Sequence, residues 1–142
     1  EWEPRFEDSG LILHSELDRC DPLYGDPESL RDAFANLLDN ALKYHRPEIL
    51  EPQAMIRLYQ EGRMACVEVM DNGLGVPVDK RKVIFERFSR VEGPGRGKAG
   101  GHGLGLSFAK AAILLHRGTI VCKEGLEGGA CFTVRIPISP RR

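Results

Sequence analysis

The segment between Asp26 and Pro47 constrains the fold most, because its apolar residues recur at the spacing of an amphipathic helix. Asp26 has the character of an N-cap, and Pro27 suits the first helical position, where its missing N–H costs nothing. The apolar stripe consists of Leu30, Ala33, Phe34, Leu37, Leu38, Ala41 and Leu42. A helix with one apolar face has to be covered by another layer of structure.

Short apolar runs on both sides of this helix predict the strands of a sheet. The predicted strands are residues 11–13, 54–59, 64–70, 119–123 and 131–136. The last four form two hairpins, the first of them around Glu61-Gly62. A second helix is predicted over 104–115, with Gly118 as its stop, and a short helical piece over 81–88.

These elements predict an α/β fold. We expect a two-layer sandwich, in which about three helices cover one face of a mixed sheet of about five strands. The length of 142 residues suits a single domain over residues 1–142. No stretch of about 18 apolar residues and no signal-peptide layout occurs, so we expect a cytoplasmic domain without direct membrane contact.

Charge and cysteine usage exclude other classes of protein. The formal net charge of −1 gives no bulk electrostatic reason to expect nucleic acid as a partner. The four cysteines form no CxxC pair, and we expect reduced, packed thiols. The four histidines are scattered without the spacing of a zinc site.

The polar side of the first predicted helix carries unusual residues. Asn36 and Asn40 are four positions apart, so both point along one face, and Lys43 continues that face. Asparagine is a poor residue for a helix interior because its amide competes for backbone groups. The face is either simply solvated, or its amide oxygens coordinate a hard cation such as Mg²⁺ while Lys43 faces a phosphate.

Two glycine-containing segments are candidates for nucleotide contacts. Asp71 immediately follows a predicted strand and starts the sequence DNGLG, and its carboxylate suits an exocyclic amine such as adenine N6. A plain turn explains this segment equally well. The sequence GHGLGL of residues 101–106 runs directly into a helix, and such a helix start favours anions.

Four segments together resemble a known family. They are residues 36–44 (NLLDNALKY), 71–77 (DNGLGVP), 84–90 (IFERFSR) and 100–106 (GGHGLGL). In this order they resemble the N, G1, F and G2 boxes of the catalytic, ATP-binding domain of sensor histidine kinases. That domain has the Bergerat-type fold of the ATPase superfamily that includes gyrase B subunits and heat-shock chaperones. The resemblance extends from about residue 11 to residue 137.

The resemblance implies ATP and Mg²⁺ as ligands and gives individual roles to the residues of the first two segments. Asn40 would coordinate Mg²⁺, with Asn36 as a possible second ligand. Lys43 and Tyr44 would contact the phosphates and the edge of the nucleotide. Asp71 would bind the adenine amine. In the same loop, Gly73 and Gly75 would let the base approach the backbone.

The other two segments would form a lid and a phosphate-binding turn. Phe85 and Phe88 would anchor the lid, although both are equally explained by core packing. Arg90 would reach the γ-phosphate and, with Asn40 and Lys43, complete the catalytic set; alternatively, it is an exposed cation. The resemblance also assigns Gly101, His102, Gly103, Leu104 and Gly105 to the ATP site, with Leu106 lining the adenine pocket.

The sequence departs from the family pattern at two positions near these segments. His45 replaces a residue that is usually a small hydroxyl residue, and Ala130 replaces a common Ser or Thr. Both departures leave details of the phosphate and base environment open, but they do not affect the prediction of nucleotide binding.

The resemblance implies the reaction of a protein-histidine kinase in a two-component system. The γ-phosphoryl group would pass to a histidine on a separate helical dimerisation domain, and then to an aspartate of a response-regulator receiver domain. We expect the dimerisation domain to be absent from this chain, whose parent protein could be a sensor in the bacterial inner membrane. His14 opens the sequence HSEL, but it sits at the end of a predicted strand and is rejected as the acceptor.

Three alternatives share the same ATP-binding fold. The chain could be another ATPase of the superfamily, but those generally have longer lids. It could be a serine-directed anti-sigma kinase, but those generally show a weaker F box than the sequence FERF at 85–88. It could also be a regulatory pseudokinase, against which the intact Asn40 and Asp71 argue.

Overall fold

The computed structural model describes residues 2–46, 48, 51–88 and 105–138. The helices are α1 (Glu3–Asp8), α2 (Pro27–Lys43) and α3 (Gly105–Leu115), and the strands are β1 (Ile12–Leu17), β2 (Gln53–Glu61), β3 (Met64–Asp71), β4 (Thr119–Glu124) and β5 (Ala130–Pro137). Single 3₁₀ turns occur at Val78–Lys80, Val83–Phe85 and Leu126–Gly128. The expected α/β sandwich with five strands is confirmed.

The five strands form one mixed sheet in the order β1-β2-β3-β5-β4. β1 pairs parallel with β2, and all other neighbouring pairs are antiparallel. The β2–β3 hairpin closes through Gly62 and Arg63, and Gly62 has the positive φ of 60° that such a two-residue turn requires. Because Met70 pairs with Cys131, the end of β3 lies beside the beginning of β5.

The core lies between one face of the sheet and the helices. Alternate residues of β3 and β5 point into it, among them Val69 and Phe132, which are both 1% exposed. α2 contributes Leu37, also 1% exposed, and α3 contributes Ile113, which is fully buried. Burial of each such large side chain stabilises the fold by about 1.5–3 kcal/mol.

α2 begins as the sequence predicts and packs against α3. The Asp26 side chain accepts a hydrogen bond from the Glu28 N–H at 3.3 Å, which caps the helix. The Asp26 N–H donates to His116 Nε2 at 2.9 Å, and His116 Nδ1 donates to the Ala112 carbonyl. These bonds join the start of α2 to the end of α3, so the two helices run antiparallel.

Three elements differ from the sequence-based expectation. α1 was not predicted, because six residues offer too few periodic positions; Phe6 is nevertheless completely buried in the core. The region 81–88 contains a 3₁₀ turn at Val83–Phe85 instead of a regular short helix. β1 continues to Leu17, well beyond residue 13, because its partner β2 supplies backbone hydrogen bonds to polar and apolar residues alike.

The end of α3 corrects the role expected for Gly118. Arg117, not Gly118, has the left-handed conformation, with φ 64°. Its N–H donates to the Leu114 carbonyl and the Gly118 N–H to the Ile113 carbonyl, both at 2.9 Å, which is a Schellman motif. Gly118 is needed for close packing, since a Cβ there would lie 2.5 Å from the Arg135 carbonyl oxygen.

The cysteines are free thiols, as predicted. Cys66, Cys122 and Cys131 are buried, while Cys20 is half-buried. Among the described residues, no helix combines the length and the apolar character needed to cross a membrane. His14 lies within strand β1, which extends past the predicted strand end at residue 13.

Candidate functional site

The polar edge of α2 forms one wall of the candidate site. Asn36 and Asn40 are half-buried, as expected for side chains at the border between the apolar stripe and solvent. α3 begins beside them: a Cβ placed on Gly105 would lie 3.3 Å from Asn36 Oδ1. Any larger residue at Gly105 would therefore crowd this amide oxygen.

Asp71 forms a second wall and is the last residue of β3, with only 6% of its surface exposed. Its Oδ1 accepts hydrogen bonds from the backbone N–H groups of Gly73, at 2.8 Å, and Ala130, at 3.3 Å. These two donors belong to the following loop and to the start of β5. The carboxylate orientation is therefore set by three parts of the chain.

The loop after Asp71 is attached to the end of α2. The Leu74 N–H donates to the Tyr44 carbonyl at 2.9 Å, and the Tyr44 N–H donates to the Asn40 carbonyl at 3.1 Å. At Gly73, a Cβ would collide with the Tyr44 carbonyl oxygen. These contacts bring the strand end that carries Asp71 against the helix end that carries Asn40.

The conformation and packing of Gly75 within the chain require a glycine. Its φ is 72°, and a Cβ there would collide with the Gly128 carbonyl oxygen. The sequence interpretation gave this glycine a role in the approach of the base. The structure adds that the loop cannot close against the turn before β5 with a side chain at this position.

Two residues that hold the site were missed in the sequence. Asn72 is 1% exposed; its Oδ1 accepts from the Gln53 N–H and its Nδ2 donates to the Glu51 carbonyl, both at 2.9 Å. Arg46 donates to the carbonyls of Asn72 and Glu127, both at 3.1 Å. Their hydrogen-bond partners are distant in the sequence, so no local sequence pattern could have indicated the structural role of either residue.

Lys43 lies at the last turn of α2 and is paired with a carboxylate. Its Nζ is 3.2 Å from Asp39 Oδ2, and Asp39 Oδ1 is 3.5 Å from the Arg5 guanidinium of α1. The side chains of Lys43 and Asp39 are 39% and 34% exposed, so solvent screens this pair and it is easily exchanged.

The two phenylalanines of the F-box segment have different environments. Phe85 is 7% exposed and packs edge-to-face on Phe132, with ring centroids 6.0 Å apart. Core packing is therefore confirmed for Phe85. Phe88 is 65% exposed with φ 64°, so core packing is wrong for this residue. Leu106 in the first turn of α3 is half-buried against the core.

Five residues assigned by the resemblance lie outside the described residues. They are Arg90, Gly101, His102, Gly103 and Leu104. The described part of the chain contains no group of three or more His, Cys, Asp or Glu side chains that would hold a metal ion. Asn36 and Asn40 lie one turn apart on α2, and their amide oxygens are of the ligand type that suits a hard cation which keeps several waters.

The geometry thus gathers amide oxygens, a fixed carboxylate, a helix start and glycine backbone in one region, which suits a phosphorylated ligand with a polar base. Known proteins provide a comparison. Residues 25–140 match the family model described as histidine kinase-, DNA gyrase B- and HSP90-like ATPase.

Among curated proteins, the circadian input-output histidine kinase CikA of Synechococcus elongatus is 35% identical over 89% of this chain and 17% of its own length. The signal transduction histidine-protein kinase BaeS of Escherichia coli is 32% identical over 96% of this chain and 29% of its own length. The chain therefore spans less than a third of the length of these two relatives.

Solved structures agree with this similarity. The mycobacterial sensor histidine kinase MprB matches with a TM-score of 0.75 and 28% identity, over 98% of this chain and 88% of that one. The catalytic domain of histidine kinase ThkA has a TM-score of 0.81 over the same shares at 23% identity, which supports the fold. This chain belongs to the family of histidine kinase-, DNA gyrase B- and HSP90-like ATPases, and it is similar to the ATP-binding domain of sensor histidine kinases.

Proposed function

We propose that this domain binds Mg²⁺-ATP and donates its γ-phosphate to a histidine on a separate helical dimerisation domain. From there the phosphoryl group passes to an aspartate of a response-regulator receiver domain, on the cytoplasmic side. The family supports ATP binding, and the similarity to named histidine kinases supports a kinase role. The observation that carries the proposal is the convergence of Asn36 and Asn40 of α2, Asp71 of β3 and Gly105 of α3 around one region.

Asp71 is proposed to recognise the base. Its carboxylate is buried and held by the N–H groups of Gly73 and Ala130, so its orientation is established before a ligand arrives. A carboxylate accepts hydrogen bonds only, and an exocyclic adenine amine is a donor. Gly73, Gly75, Tyr44 and Leu106 are proposed to surround the base.

The polar edge of α2 is proposed to face the phosphates. Asn40, with Asn36, would hold Mg²⁺, which offsets negative charge on the phosphate oxygens when bound. Lys43 would provide a cation close to these oxygens, and the start of α3 at Gly105 adds the positive end of a helix dipole. The catalysis expected of such a domain is positioning and neutralisation of charge, because the nucleophile belongs to another domain.

The lid and the phosphate-binding turn are assigned on the resemblance alone. Arg90 is proposed to reach the γ-phosphate, and Phe88 to anchor the lid. The segment from Gly101 through His102, Gly103 and Leu104 is proposed to form the turn that meets the phosphates.

The exposed face of α3 supports the proposal that a helical domain docks on this chain. Phe108, Leu114 and Leu115 are 43%, 54% and 84% exposed, and together with Ala111 they give one side of the helix a mainly apolar arc. An apolar arc of this kind is typical of a docking surface. Because α3 begins beside Asn36, a domain docked along it would lie next to the proposed phosphate site.

The test of the proposed base contact is the replacement Asp71→Asn. The asparagine oxygen can still accept from the Gly73 and Ala130 N–H groups, so the fold is kept, while its NH₂ group opposes the adenine amine. Calorimetric titration should show ATP and ADP binding weakened by roughly 10- to 100-fold. Unchanged affinity in a folded Asp71→Asn variant would remove the base contact.

The variant Asn40→Asp is the matched comparison at the other end of the site. We expect it chiefly to weaken the Mg²⁺-dependent part of ATP affinity, with little effect on adenosine binding, because Asn40 is assigned to the metal and not to the base. The same titration with and without Mg²⁺ separates the contribution of the metal to ATP affinity from that of the base. Equal loss of adenosine and ATP binding would contradict the assignment of Asn40.

A further inference from the structure

Three charged side chains connect α1 to the proposed phosphate site. Arg5 of α1 approaches Asp39 Oδ1 at 3.5 Å, and Lys43 Nζ approaches Asp39 Oδ2 at 3.2 Å. We call Arg5, Asp39 and Lys43 the charge chain. The Asp39 carboxylate thus pairs with two cations, one on each oxygen. One of them is Lys43, which is assigned to the phosphates.

Arg5 is held in place by Trp2, the N-cap residue of α1. Its guanidinium lies 4.1 Å from the centroid of the Trp2 ring, which is a cation–π contact. Trp2 packs edge-to-face on Phe6, with ring centroids 6.3 Å apart, and Phe6 is completely buried in the core. The position of the Arg5 charge therefore depends on how α1 is docked.

Asp39 competes with any phosphate for Lys43. A lysine ammonium that is paired with a carboxylate has to leave it, or share it, in order to neutralise phosphate oxygens. The pair lies on the surface, with side-chain exposures of 39% for Lys43 and 34% for Asp39, so it is weak enough to exchange. A cation on the other oxygen of Asp39 reduces the pull of this carboxylate on Lys43.

We infer that Asp39 is a positioning residue that restrains Lys43, and that Arg5 relieves this restraint when α1 is docked. The inference rests on the proposed function, because it requires that Lys43 meets the phosphates of the nucleotide. Phosphate binding and the docking of α1 are then coupled. By reciprocity, a nucleotide that draws Lys43 away leaves Asp39 to Arg5 and strengthens the contact of α1.

A double-mutant cycle on the 142-residue chain tests the charge chain, with Mg²⁺-ATP and adenosine as probes in calorimetric titrations. Asp39→Asn should tighten Mg²⁺-ATP binding about two- to threefold, because Lys43 is released. Arg5→Gln should weaken it about twofold, because Asp39 then holds Lys43 more strongly. Adenosine has no phosphates, so its affinity should not change in either variant.

The combined variant separates a relay through Asp39 from a direct electrostatic field. If Arg5 acts through Asp39, Arg5→Gln has no further effect in the Asp39→Asn background. A field from Arg5 on the phosphates would persist in both backgrounds and would overturn the inference. Arg5→Lys keeps the charge beside Asp39 and should restore the wild-type affinity for Mg²⁺-ATP.

Arg63→Gln is the charge-matched control, since Arg63 lies in the β2–β3 turn at the opposite end of β3 from Asp71. It should leave Mg²⁺-ATP affinity unchanged. Equal affinities in all variants that bind Mg²⁺-ATP would overturn the positioning role alone. Absence of Mg²⁺-ATP binding by the wild-type chain would instead overturn the proposed function, so the two failures are distinguishable.

Discussion

Individual residues shape the candidate site through backbone contacts as much as through their own chemistry. Asp71 holds two N–H groups from separate parts of the chain, and Gly75 adopts a positive φ against the Gly128 carbonyl. The Asn72 side-chain amide accepts a hydrogen bond from the Gln53 N–H and donates one to the Glu51 carbonyl. A substitution in this loop therefore disturbs the backbone conformation as well as the charge of the site. Functional tests there need an isosteric variant.

The Cys122 thiol gives a prediction at the residue scale. Burial raises its pKa from 9.0 to about 11. The unfolded chain loses this proton near pH 9 and the folded chain only near pH 11, so the stabilisation is complete below pH 9 and is lost between these values. The free energy of unfolding should fall by up to about 3 kcal/mol over this range because of Cys122.

Urea denaturation under reducing conditions, repeated at several pH values, measures this effect. Cys122→Ala should show a shallower fall above pH 9 than the wild type. Val121→Ala changes an exposed neighbour on the same strand and should leave the pH dependence as it is. An unchanged slope in Cys122→Ala would show that this thiol is not the group that titrates.

At the scale of elements, the end of α3 is made by hydrogen bonds rather than by the residue type expected there. The Schellman motif places Arg117 in the left-handed region, which ordinarily favours glycine. The glycine next to it, Gly118, instead permits contact between α3 and β5. The left-handed position is thus occupied by an arginine, while the neighbouring glycine serves the packing of α3 against β5.

Arg117→Gly is therefore expected to stabilise the protein. Glycine adopts a φ of 64° without the steric cost of a side chain, and the gain should be about 0.5–1 kcal/mol in the free energy of unfolding. Urea denaturation at neutral pH measures it. Gly118→Ala is the contrasting variant and should destabilise, because its Cβ would meet the Arg135 carbonyl. A destabilised Arg117→Gly would mean that the arginine side chain contributes more than its backbone costs.

At the scale of the whole molecule, the antiparallel packing of α2 and α3 places an apolar surface beside the candidate site. The start of α3 lies against Asn36, while its exposed arc carries Phe108 and Leu115. Docking of the phosphoacceptor domain along this arc would bring its histidine towards the phosphates, which agrees with the proposed reaction.

Leu115→Asp tests this docking. The side chain is 84% exposed, so the fold and ATP affinity should be unaffected. Transfer of labelled phosphate from ATP to an added helical dimerisation domain should slow by roughly 10-fold or more, because an apolar contact with that domain is lost.

Leu17→Asp is the matched control for this prediction. It makes the same change at a leucine that is 65% exposed and lies in β1, at the edge of the sheet opposite β4. The transfer rate of this variant should equal that of the wild type. Equal rates in Leu115→Asp and Leu17→Asp would place the docking surface elsewhere.

Much of the architecture was predictable from local sequence patterns. The period of apolar residues, the Asp26 cap and Pro27 indicated α2, and alternating runs indicated both hairpins. The position of Asp71 at a strand end was also foreseen. Each of these features depends on neighbours within a few positions, because helix and strand periodicity and helix caps are local interactions.

Tertiary structure decided the features that join distant segments. The strand order, the burial of Phe6, the clamp of Arg46 on Asn72 and the approach of Gly105 to Asn36 all depend on partners far apart in the chain. These contacts form because apolar surface leaves water only when the sheet and helices pack together, and that packing then fixes which polar groups meet. The sequence by itself therefore determined α2, α3, the two hairpins and the principal candidate residues, and only packing determined α1 and the contacts that join these residues.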